Sequence, residues 1–362
     1  MFNRLKQMKW PKLSKQNKEE VEENETNVVT NEPFIAPITL AHQKKKQLII
    51  EMPGNMLMVW SMAQADVAKG TLHTIPLSSD ILKEGYVQDE FAFTEQLAAL
   101  VKERKWRNYE VSTFVPDKSV LYRIIEYPED VTEETLYDYV SLELNQTIHL
   151  PFEDSYFDVQ PKVGSDHEAI LFATPSDTAM NMLMPFEDAK LKPAVLDIRA
   201  LSILRTLRYL NIIRRRKTYL IAEWQPNAVI ITIYSDRGIE FLRYHSIDYD
   251  EALVKVTYNG EKQQYEVEGE VAAYEGALLD PIFEIQQILG FYEFSIHKGA
   301  ARVEEFVVIG TNPLLSFIVE RMKDAMQLPI QLLTDEQMES IHPQFKKEHV
   351  ALAGMLMRGE QL

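Results

Sequence analysis

The side chains able to do chemistry in this 362-residue chain fall in few places. There is no cysteine, which excludes disulfides and thiol chemistry and is consistent with a reducing compartment. The eight histidines show no metal-ligand spacing: His342 and His349 stand too far apart for adjacent helical turns, and no paired acid accompanies them. No Gly-rich phosphate loop, Gly-x-Ser-x-Gly elbow or dinucleotide fingerprint occurs. Glu143 and Asp154 could pair as carboxylates, but scattered acids on an acidic chain ordinarily form a solvated face. What stands out is a near-repeat. Glu51-Met52-Pro53-Gly54-Asn55 and Glu223-Trp224-Gln225-Pro226-Asn227 each place a carboxylate four residues before an amide, with a proline between. Read alone, both are turn residues without a ligand, since Pro and Asn are common in turns.

The elements around these turns repeat as well. Leu48 to Glu51 is an apolar strand that re-enters as Met56 to Met62, and Leu220 to Glu223 re-enters as Ala228 to Tyr234. A third strand follows each pair, at Thr71 to Leu77 and Ile239 to Ile247, so each half opens with a β-meander. Helices come later in each half. Thr132 reads as an N-cap before a stripe of Leu136, Val140 and Leu144. Asp197 to Arg216 reads as a helix with Ile198, Leu201, Leu204 and Leu207 on one face and a basic last turn. Asp280-Pro281 reads as the start of another, running towards Gly290. A buried strand over Val303 to Ile309 meets Gly310-Thr311-Asn312-Pro313, where a further helix begins, and Leu253 to Val267 reads as a hairpin around Asn259-Gly260.

The formal charge of −17 argues against a general nucleic-acid binder, which needs clustered Lys and Arg. No apolar run reaches the roughly 18–20 residues that cross a bilayer, so a cytoplasmic protein is expected. Residues 1–46 read as a disordered tail of segregated charge, bases from Arg4 to Lys18 and acids from Glu19 to Glu32. Phe2, Leu5, Met8 and Trp10 are interleaved with the bases, a pattern that could also rest weakly on an anionic membrane.

Two meander-led halves with a strand–Gly–helix junction late in the second resemble the actin-like fold, and within it the PilM family of type IV pilus assembly, with FtsA more distant. Phe93 to Leu100 followed by Val111 to Pro116, Glu126 to Pro128, Ile148 to Asp158, Ala194 to Leu201, Phe283 to Tyr292 and Val350 to Leu356 carry the resemblance by their order and spacing. It implies an α/β chain of duplicated ribonuclease-H-like lobes with an inserted small α+β domain. The expected division is the tail over 1–46, a first lobe over 47–92 and 176–216, the insert over 93–175, a second lobe over 217–340, and a C-terminal helix over 341–362 returning to the core.

Active members of that fold carry Asp-x-Gly at each meander tip, the acid handling a metal and the glycine letting backbone amides approach phosphate. Here both acids are glutamates and both glycines are missing, Met58 stands where a lysine is common, and Thr311 replaces a second glycine after Gly310. The vestiges of a nucleotide site are then Glu51, Gly54, Asn55, Glu223, Asn227, Gly310 and Thr311, and neither catalysis nor a resident cofactor is expected, ATP with magnesium remaining the alternative. The resemblance implies a scaffold peripheral to the inner face of the cell membrane, serving a pilus or competence pilus. It would capture the cytoplasmic tail of a single-span inner-membrane assembly protein in a groove beside the insert and pass cues from a motor ATPase. Tyr137, Phe152 and Tyr156 are the candidate groove residues, because aromatics are favoured interface anchors, although core packing accounts for them equally. An active actin-like ATP-binding protein and an FtsA-like membrane-tethered polymer stand as competing readings.

Overall fold

A computed structural model describes residues 46–64, 66–259 and 262–358; the expected tail falls outside them but for Lys46. Two five-stranded sheets have one plan. In the first, β1 (Gln47–Glu51), β2 (Met56–Met62) and β3 (Thr71–Pro76) form an antiparallel meander, flanked on the β1 side by parallel β6 (Glu110–Phe114) and β10 (Lys192–Asp197). In the second, β11 (Tyr219–Trp224), β12 (Ala228–Ser235) and β13 (Gly238–Ser246) repeat the meander, and parallel β16 (Glu305–Gly310) and β17 (Ile330–Leu332) extend it. The registers match: Glu51 lies opposite Met58 and Glu223 opposite Ile230, each seven residues on. β1, β11 and β12 are buried along their whole length, as strands covered on both faces must be, which is why their sequences are continuous apolar runs.

A small hairpin, β4 (Leu82–Lys83) with β5 (Tyr86–Val87), follows the first meander. α1 (Glu90–Glu103) buries Phe93, Leu97 and Val101 and is capped by Asp89, which accepts from Ala92 N–H. α3 (Ser176–Asp188) packs beside it. Between them β7 (Leu121–Glu126), β8 (Ser155–Pro161) and β9 (Glu168–Pro175) make a separate antiparallel sheet in the order β7-β9-β8, with α2 (Leu136–Glu143) closing a core of its own. The inserted unit is therefore smaller than expected. Residues 93–120 supply α1 and β6 to the first lobe, because Val111 to Phe114 is a buried run that pairs with both β1 and β10.

Three predicted helix bounds also move. The helix begins at Leu136 after Thr135, not after Thr132, which closes a turn onto Thr135 instead. α4 (Arg199–Tyr209) stops short of the arginines at 214–216, since Leu210 ends it and Asn211 adopts φ 55°. α5 (Val271–Gly290) carries Pro281 in its interior rather than its first turn, and it continues as a π-helical segment over Phe291–Ile296. The hairpin is present as β14 (Val254–Asn259) and β15 (Lys262–Val267). α6 (Leu315–Met326) and the short α7 (Asp335–Glu339) precede α8 (Val350–Leu356).

α4 and α8 join the lobes. Their axes approach closely because the facing residues are small: Ser202 Oγ and Thr206 Oγ1 donate to Ala351 O and Val350 O at 2.6 and 2.7 Å, and a Cβ on Gly354 would meet Ser202 O at 1.8 Å. One apolar core runs from the first sheet through these helices to Ile221, Val307 and Ile309 of the second. Pleating turns the alternate residues Leu220, Ala222 and Trp224 the other way, onto Tyr274, Leu278 and Ile282 of α5. Glu223 thus shares the inter-lobe face with Ile221, towards α4.

Candidate functional site

Parallel strands deliver their carboxyl ends to one edge, and open α/β sheets bind ligands at such edges. Here β1, β6 and β10 of the first sheet and β11 and β16 of the second face each other across a cleft of about 840 Å³. Glu51, Gly54, Asn55, Glu223, Asn227, Gly310 and Thr311 all line it. Residues up to 260 positions apart in the chain are brought together by the duplicated strand plan.

The floor is built around one guanidinium. Arg199 opens α4, directly after β10, and its side chain is 12% exposed. It is ion-paired with Glu51 from the end of β1, with Glu223 from β11, and with Asp117 from the loop after β6, the last at 3.1 Å. The Asp117 contact lacks hydrogen-bond alignment. A single positive charge is shared among three carboxylates. Burial first, and then the charge of Glu223, push the Asp117 carboxyl well above the usual range, against a weak bond from Gln225 Nε2 at 3.4 Å. A further buried pair lies just behind: Arg205 reaches Asp197 at 2.7 Å.

The backbone of the second tip is closed on itself. Gln225 N–H donates to Ala228 O, and the amides of Thr311 and Asn312 both donate to Trp224 O, at 2.8, 2.9 and 3.0 Å. Asn312 Nδ2 donates to Gln225 O at 2.9 Å and to Tyr274 Oη at 2.8 Å, while Tyr274 donates to Pro226 O at 2.6 Å. Gly310 has φ 120°, and a Cβ there would sit 2.0 Å from Trp224 O, so this glycine is required by strand–turn contact whatever the cleft holds. The first tip is looser. Met56 N–H reaches Pro53 O at 3.1 Å, Gly54 has φ 60°, and Asn55 exchanges 2.8 Å bonds with the backbone of Leu77.

The walls hold residues that belong to no sequence motif. Tyr86 and Tyr244 have their hydroxyls pushed up chiefly by burial, and Tyr249 up to about 12 for the same reason. Val254, Val256 and Tyr265 of the β14–β15 hairpin complete that side, and Lys83 meets Glu251 at 3.0 Å across the mouth. Asp117 and Arg199 carried no sequence signal of their own, because neither belongs to a meander tip. A charged residue opening a helix directly after a strand was the available hint.

The candidate groove residues take three different places. Tyr137 stacks on Phe157, with centroids 4.8 Å apart at 11°, and remains 48% exposed. Phe152 packs on the insert's own core. Tyr156 packs instead against the core of the first lobe, so it lies where the insert meets that lobe. Among the described residues no helix is long and apolar enough to cross a membrane, and no cluster of acids and histidines is arranged to hold a metal ion.

The profile of the family described as type IV pilus assembly protein PilM matches residues 69–351. The chain belongs to the PilM family. The PilM–PilN type IV pilus biogenesis complex superposes with a TM-score of 0.64 at 16% identity, over 88% of this chain and 99% of that one. A Bacteroides thetaiotaomicron protein with an actin-like ATPase fold gives 0.46 at 9% identity, over 86% and 96%. MreB5 of Spiroplasma citri bound to ADP gives 0.44 at 11%, over 88% and 96%. No curated protein matches the sequence. The fold is thus the actin-like one of the PilM family, as the duplicated meanders implied. The family match begins after the first tip, so Glu51, Gly54 and Asn55 lie outside it, whereas Asp117, Arg199 and the whole second tip lie within.

Proposed function

We propose that this PilM-family chain is a non-enzymatic scaffold of type IV pilus assembly, working at the cytoplasmic face of the inner membrane. Arg199 carries that reading. Its guanidinium sits between the two meander tips, where nucleotide phosphates would lie in an actin-like protein, and it already serves three carboxylates. The remaining groups do not suit a triphosphate. Pro53 and Pro226 have no N–H, and the amides of Gln225, Thr311 and Asn312 are engaged within the backbone. The floor carries more negative than positive charge, which repels an anion.

The partner is a short cytoplasmic tail of a single-span assembly protein, docked where the insert meets the first lobe. Exposed Tyr137, Tyr156 at the junction, and Met184 on α3, 38% exposed, offer the aromatic and thioether surface that such a segment needs. A solved PilM–PilN complex supports a pilus-assembly partner, since its PilM shares the fold. Titration with a peptide of that tail tests it: Tyr137→Ala should weaken binding about tenfold or more, in keeping with the loss of an interface anchor. Full affinity in Tyr137→Ala and in Met184→Ala would overturn the assignment of the groove. Calorimetric titration with magnesium ATP tests the other half. Saturable heat that disappears in Glu223→Ala would show a working nucleotide site.

A further inference from the structure

The second lobe exposes an aromatic surface far along its long helix. Phe283 is 59% exposed, Phe291 51% and Phe294 67%, with Leu279 at 47% beside them. A spacing of four residues puts Leu279 and Phe283 on one side of the α-helix, and Phe291 and Phe294 follow on its π-helical continuation. Single exposed hydrophobics need no explanation, but three phenylalanines on one stretch do. The same side carries Gly276 and Gly290, where an added Cβ would meet nothing within 4 Å. Each costs the helix about 0.5–1 kcal/mol relative to alanine. No neighbour within the fold requires either one. Small residues flanking exposed rings suit the close approach of another segment.

Charge narrows what that segment is. Over 271–296 the helix carries Glu275, Asp280, Glu284 and Glu293 and no Lys or Arg; Glu284 already meets Arg243 of β13 at 2.7 Å, so Glu275, Asp280 and Glu293 are the acids offered to a basic segment. The opening of the same chain is its complement: Arg4, Lys6, Lys9, Lys12, Lys15 and Lys18 occur with no acid, interleaved with Phe2, Leu5, Met8 and Trp10. Reach is not limiting. The 27 residues from 19 to 45 can span up to about 90 Å at about 3.3 Å each, and a body of this size has a radius of gyration of about 20 Å.

We propose that residues 2–18 of the chain dock on the Leu279–Phe294 face of the second lobe, apolar side chains against the exposed phenylalanines and lysines towards the flanking acids. This intramolecular contact is independent of the scaffold reading. It would keep the basic arm on the protein until a stronger anionic surface competes for it.

The chain has no cysteine, so spin labels at Gln7→Cys and Gln286→Cys report one distance in the full-length protein. A narrow short-distance population is expected. Phe283→Ser with Phe294→Ser should reduce it at least about tenfold, since burying each ring is worth about 1.5–3 kcal/mol. About 1 M salt, where the Debye length is about 3 Å, should also deplete it. A broad distribution indifferent to those substitutions would overturn the proposal. A narrow population lost on dilution with unlabelled protein would overturn it in favour of a second copy. Ordering seen only with phosphatidylserine vesicles would overturn it in favour of the membrane.

Discussion

The two meander tips began from the same strand plan and diverged in how they are held. The second is closed by its own backbone and by Asn312 and Tyr274, with Gly310 pressed against Trp224 O. The first has a Pro53–Gly54 turn flanked by Asn55, bonded to Leu77, and by Glu51, which shares Arg199 with Glu223 of the second tip. The second tip is therefore a platform held by its own backbone, Asn312 and Tyr274, and the first is positioned by neighbours in its own lobe, Leu77 and Arg199, while Glu223 reaches across the cleft to the same arginine. In both tips side chains and backbone hold the turn, and Arg199 balances the acids between them.

The sharpest way to break the comparison is to remove the shared cation. Arg199→Met should cost about 3–5 kcal/mol at neutral pH, because three buried carboxylates then lose their counter-charge. The loss comes from charged carboxylates left without a cation, so it should be least below about pH 4, where carboxyl groups are protonated, and grow as pH rises. Denaturant midpoints at pH 4 and pH 7 measure it, and an equal loss at both would mean that the arginine acts by packing. Next in size, Gly310→Ala should cost about 3 kcal/mol or more, from a backbone clash at positive φ. A mild effect there would show that the second tip is less rigid than its contacts imply.

Asn312→Ala against Asn55→Ala compares the tips directly. The former loses bonds to Gln225 O and Tyr274 and its own cap on Leu314 N–H, about 2 kcal/mol, and the latter loses a part-buried bond to Leu77 O, about 1 kcal/mol. Equal losses would remove the distinction between platform and contact-held turn. The smallest effect is expected from Asp117→Asn. Since the Asp117 carboxyl titrates above its ordinary value, its charge is unfavourable in the fold at neutral pH, and the amide should raise the unfolding midpoint slightly there. The gain should vanish below about pH 4, where the unfolded-state aspartate is itself protonated.

Much of this was legible before any coordinates. The apolar runs at 48–51 and 220–223 had to be central strands, because nothing polar interrupts them except the terminal glutamates, and the turns containing Pro and Asn dictated hairpins. The seven residues of the two tips and the Gly310 junction were visible as a set for the same reason. The Asp197–Arg216 helix was read too long because apolar spacing continues past Tyr209 while the chain turns at Asn211, a left-handed residue that spacing cannot reveal. The Asp280-Pro281 cap was misplaced because a helix buried on one side tolerates an interior proline that local rules take for a start.

Sequence by itself determined the duplicated strand plan, the acids and turns that end it, and the absence of thiol chemistry, since all three depend on residue type and short-range spacing. Tertiary structure alone decided that Arg199 meets Glu51, Asp117 and Glu223, and that β6 belongs to the first lobe. Those are pairings between segments dozens of residues apart, fixed by which strand edges meet and by which way each pleat turns its side chains.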